Sequence, residues 1–64
     1  MTKTIGIGIP AWKTVTINTS ELRGYEIDGD VYEETAIADD GSLVAYCDAS
    51  NSWQQLWPTR PEDY

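Results

Sequence analysis

Apolar and polar residues alternate at the strand period of two over most of this chain. In "KTIGIGIP", residues 3–10, Ile5, Ile7 and Ile9 share one face while Thr4, Gly6 and Gly8 share the other. Pro10 removes a ladder donor and ends the run. "WKTVTIN" alternates in the same way, with Val15 and Ile17 opposed to Trp12, Thr14 and Thr16. β-Branched residues at this spacing suit a half-buried pleated surface.

The link "TSELRG" predicts a helical turn, with Thr19 or Ser20 as its cap and Gly24 as its stop. "YEI" then leads into "DGD", where Asp-Gly marks a tight turn. "VYEETAIA" and "SLVAYC" flank "DDG", residues 39–41, and form the clearest hairpin. Val31, Thr35 and Ile37 fall on one side of its first strand. In the second strand, Leu43, Ala45 and Cys47 oppose Val44 and Tyr46, a pattern that predicts burial on both faces.

"SWQQLW" fits two periods. As a strand it closes a meander but splits its apolar residues between faces. As a helical turn it carries a capping box, Ser52 with Gln55, and groups Trp53, Leu56 and Trp57. The grouping favours the turn. The expected fold is mostly β: a small antiparallel sheet of four to five short strands, curled into a partial barrel or sandwich, with at most one or two short helical turns. Residues 1–58 form the single domain and 59–64 an extended tail.

Composition narrows what such a domain does. Sixty-four residues leave room for only a small core, and chains of this size commonly need a disulfide, a metal or a partner. A single cysteine, Cys47, and no histidine argue against the first two, so no metal or other cofactor is expected. Good packing or a partner remains. No stretch approaches the roughly 20 apolar residues of a membrane span, and the N-terminal run reads as a strand rather than a secretion signal. The expected location is the cytoplasm or an assembled particle such as a virion.

Eleven acidic residues against four basic ones give a net charge of −7. Direct binding to nucleic acid or an anionic membrane is therefore disfavoured, and basic protein surfaces are favoured. Glu26, Asp28, Asp30, Glu33, Glu34, Asp39 and Asp40 form a run with no base among them. One reading is a solvated face that keeps the protein soluble; a sharper one is a mimic of the phosphate backbone. A calcium loop is disfavoured because the spacing departs from the helix-flanked pattern.

Catalysis is not expected. The commonest general base is missing, and Cys47 has no basic neighbour in sequence. Three tryptophans and four tyrosines, with no phenylalanine, suit surfaces where one ring edge stays wet. Gly6 and Gly8 weaken their strand unless a ring lies across them, a bulge needs them, or another chain docks there. Gly6, Gly8, Trp12, Trp53, Trp57 and Tyr64 are accordingly the candidate partner-binding residues. The leading expectation is a non-catalytic structural or adaptor subunit docking into a larger assembly, a homo-oligomer or a phage particle among the settings. The alternative is an acidic inhibitor that mimics nucleic acid. Carbohydrate stacking on Trp53 and Trp57 is a third, weaker expectation.

Overall fold

The computed structural model describes residues 1–9 and 11–64, and of Ile9 the backbone alone. Two locally folded units make up the sheet. The first is a hairpin of β1 (Thr2–Ile9) and β2 (Lys13–Asn18); the break assigned to Pro10 lies outside the described residues. The second is a meander of β3 (Arg23–Ile27), β4 (Asp30–Ile37), β5 (Leu43–Cys47) and β6 (Ser52–Trp57). Each connection in the meander has turn chemistry that matches its backbone. Asp28 and Gly29 carry φ of 50° and 86°, as a two-residue primed turn requires. Gly41 at φ 89° and Asn51 at φ 53° supply the left-handed residues of the next two turns.

The two units join edge to edge, giving a six-stranded sheet in the order β2-β1-β6-β5-β4-β3. At that join β1 and β6 run parallel, so the sheet is mixed rather than wholly antiparallel, and its strand count is six rather than four or five. β6 also overturns the helical reading of "SWQQLW". A strand there ladders with both β1 and β5, satisfying backbone groups on two flanks. One helical turn satisfies neither neighbour.

The link between the units holds a short 3₁₀ turn, Thr19–Glu21. Its cap is Asn18, not Thr19 or Ser20: the Asn18 side chain accepts from the Ser20 amide at 3.1 Å. Gly24 does not stop this turn but lies within β3. Opposite Gly24 the β3–β4 ladder slips, pairing Arg23 with Thr35 but Tyr25 with Tyr32. Glu33 and Glu34 thus face a single residue, a bulge that reverses the alternation of β4. Val31 therefore does not share a face with Thr35, and is 69% exposed.

The sheet curls without closing. Ile5, Ile7, Val15, Ile17, Ala36, Ala38 and Val44 fill its concave side, with Leu22 and Trp53 packed against them. The gap between β2 and β4 is bridged by Asp39. Its amide donates to the Thr16 carbonyl at 2.8 Å, and its carboxylate accepts from the Thr16 amide at 3.0 Å. Beside it, Lys13 Nζ meets Asp40 Oδ2 at 2.7 Å. The radius of gyration, 10.6 Å, is close to the roughly 10.7 Å expected for a compact chain of this length.

The opposite face of β4 and β5 is also dry. Thr35, Leu43 and Ala45, which alternate away from the concave core, are fully buried. The last residues cover that side: Pro61 is buried, and the Tyr64 hydroxyl lies 3.1 Å from Thr35 Oγ1. The Arg23 guanidinium sits 4.1 Å above the Tyr64 ring and donates to the Tyr64 backbone oxygen. Tyr25 stacks at a tilt on Tyr64, with centroids 5.1 Å apart, and donates to Asp63.

Candidate functional site

The aromatic and glycine residues picked out from sequence do not converge. Trp53 belongs to the core and packs edge-on against Tyr46, with centroids 5.5 Å apart. Tyr64 anchors the last residues to β3 and β4. Trp57 pairs with Leu43 and keeps 39% of its surface exposed. Only Trp12 and Gly6 meet, the indole lying where a Gly6 side chain would stand. Gly8 has open space above it.

The acidic run divides by role. Asp39 and Asp40 serve the fold, the first bridging to β2 and the second holding Lys13. The Lys13 ammonium, aided by the Ser42 hydroxyl and amide, keeps the Asp40 carboxyl well below the usual carboxylate range. Glu26, Asp28, Asp30, Glu33 and Glu34 lie exposed on the β3–β4 hairpin, and among the described residues none is ion-paired.

Part of that hairpin borders a concavity. The β4–β5 ladder runs from Ile37–Leu43 to Thr35–Ala45 and stops there. Beyond it β4 continues to Asp30 paired only with β3, while β5 continues to Cys47 paired only with β6. The Glu33–Glu34 bulge lies where the two strands part. The fork between them encloses about 520 Å³, lined by Asp30, Val31, Tyr32, Glu33 and Glu34 on one wall and Tyr46, Cys47 and Asp48 on the other. Four carboxylates surround it, and no Lys or Arg contributes to the lining.

Among the described residues, no three His, Cys, Asp or Glu side chains converge closely enough to hold a metal ion. The carboxylates rim an elongated opening instead. Within it the Cys47 thiol is shifted below its usual value near 9, chiefly by hydrogen bonding from the Ser50 hydroxyl and amide in the β5–β6 turn. On the far side of that turn the Tyr46 hydroxyl donates to Asn51.

Asp48, Tyr32, Tyr46 and Cys47 were not among the sequence-derived site residues. A signal for them exists. Counting outward from the "DDG" turn pairs residue 35 with 45, and three residues later the β5 side reaches "DASN" while the β4 side is still alternating. Strands of unequal length around one turn leave an unpaired stretch. No helix among the described residues is long and apolar enough to cross a membrane. No protein-family model, curated protein or solved structure matches this chain.

Proposed function

We propose that this chain is a non-catalytic protein-binding module, a small subunit that docks into a larger assembly by presenting its acidic hairpin and fork to a basic surface. The observation that carries this reading is the distribution of charge. Five carboxylates crowd the exposed β3–β4 hairpin with no ion pair to any described residue, the hairpin's own base, Arg23, being engaged by Tyr64, while Asp39 bridges to β2 and Asp40 holds Lys13. Like charges held together on a small domain raise its energy and are relieved by a basic partner.

The nucleic-acid-mimic reading draws on the same residues. A mimic must enter a groove built for a duplex, so its carboxylates belong on a projecting surface. Here Asp30, Glu33, Glu34 and Asp48 surround a hollow, which suits a projecting partner. The charge also disfavours a homo-oligomer joined through this face, because each copy carries −7.

The test is a reversal of charge at Asp28, Asp30, Glu33 and Glu34 to lysine, with circular dichroism to check folding. Proteins co-purifying with the wild-type chain at low ionic strength should be lost from the variant, and their yield with the wild type should fall as salt rises toward physiological strength. Partners retained by the folded variant would sink the reading.

A further inference from the structure

The fork is more than a charged hollow, because both of its walls are strand edges. β4 from Asp30 to Glu34 is held on its outer side by β3, and β5 from Tyr46 onward is held on its outer side by β6. The inner edges of both strands are left without a ladder. Unpaired edges of this kind accept an added strand, which gains main-chain hydrogen bonds as well as side-chain contacts. A volume of about 520 Å³ falls within the 300–1,000 Å³ typical of ligand sites.

We infer that the fork receives an extended, lysine- or arginine-bearing segment of a partner protein, which inserts as a short strand between β4 and β5. This inference rests on the docking reading above and adds the mode of binding. Charge decides the occupant. Four carboxylates at the mouth repel an acidic strand, including one from a second copy of this chain, and attract a basic one. The tyrosines of the two walls, Tyr32 and Tyr46, give alkyl stems and cationic heads an aromatic surface. Alternation along the inserted strand sends successive side chains to opposite faces, so a segment with a base at every second position places its charges at the carboxylate rim.

The experiment uses the intact chain and a capped hexapeptide of alternating lysine and valine, with a second version N-methylated at alternate amides. Binding is read by anisotropy, amide hydrogen exchange and the alkylation rate of Cys47. The unmodified peptide should bind with an affinity that falls as salt rises. It should slow exchange between residues 30–34 or 46–48 and protect the Cys47 thiol from alkylation. N-methylation, by removing about two main-chain bonds, should weaken binding about tenfold. Equal binding of both peptides, with unchanged exchange at the fork, overturns strand insertion while leaving charge-driven docking standing. Failure of both peptides to bind at low salt overturns the fork as a site for a basic segment, and the co-purification test above then decides the docking reading independently. Glu33→Gln with Glu34→Gln should reduce binding of the unmodified peptide, and undiminished binding by that folded variant also overturns the inference.

Discussion

The Trp12 ring lies against Gly6 so closely that a Cβ at Gly6 would stand 2.6 Å from the indole Cη2. Gly6 lies in β1 and Trp12 immediately precedes β2, and Gly6 pairs with Thr14, two positions from Trp12. The indole covers the bare backbone and is itself 76% exposed. Gly6→Ala should therefore displace the ring rather than break the strand, because an exposed side chain swings away cheaply. Tryptophan emission should shift to the red, while the loss of packing and the gain in strand propensity nearly cancel, leaving stability within about 1 kcal/mol. Gly8→Ala meets nothing within 4 Å and should leave emission unchanged and be neutral or stabilising by about 0.5–1 kcal/mol. Matching emission spectra for the two variants would refute this account of Gly6.

Local patterns in the sequence are accurate where local chemistry decides the outcome. The alternation of Ile5 with Ile7 and of Val15 with Ile17, and both acidic turns, predict strands and hairpins that the structure contains. What the pattern cannot express is which edges meet at long range. Nothing in "SWQQLW" says that an open β1 edge waits on one side and β5 on the other, and that pairing outweighs the capping box of Ser52 and Gln55. The Glu33–Glu34 bulge is hidden for the same reason: it exists only in the register with β3. The acidic run was visible as composition, but its division into fold-serving Asp39 and Asp40 and exposed hairpin carboxylates needed geometry.

Asp39 makes the only described backbone bridge across the open side of the sheet, so its side chain should matter more than its exposure suggests. Asp39→Ala removes the acceptor for the Thr16 amide while leaving the main-chain bond from Asp39 to Thr16 in place. The expected cost is about 1–2 kcal/mol, since a charged acceptor is lost near the sheet edge. In a domain of marginal stability that should appear as a clear fall in the urea midpoint. An unchanged midpoint would show that water replaces the carboxylate at no cost.

The Tyr64–Thr35 contact predicts that the last residues are part of the fold. Removing residues 59–64 takes the Tyr64 hydroxyl away from Thr35 and leaves the Thr35 hydroxyl with only the Arg23 carbonyl at 2.8 Å. The shortened chain should unfold at lower denaturant than the intact one. Tyr25 offers a more local readout, since hydrogen bonding to Asp63 raises its phenol above the usual 10. Asp63→Asn should bring the Tyr25 titration back down, measured by ultraviolet absorbance; no change would place the two groups apart in solution.

Asp40 gives the fold a defined acid sensitivity. Its carboxyl is lowered in the folded state by Lys13 first and then by Ser42, so the folded chain holds the ionised form more tightly than the unfolded chain does. The resulting stability is fully present above the unfolded value of about 3.9 and is lost as pH falls toward the lower folded value. Because the side chain is 38% exposed, solvent screening limits the contribution to about 1 kcal/mol or less. Asp40→Asn should therefore be destabilised relative to wild type near neutral pH, and the difference should shrink steadily below about pH 4. Salt should narrow the neutral-pH difference as well, since Lys13 and Asp40 meet at the surface. A gap between wild type and variant that stays constant from neutral to strongly acid pH would mean that the Lys13–Asp40 pair carries no pH-linked stability.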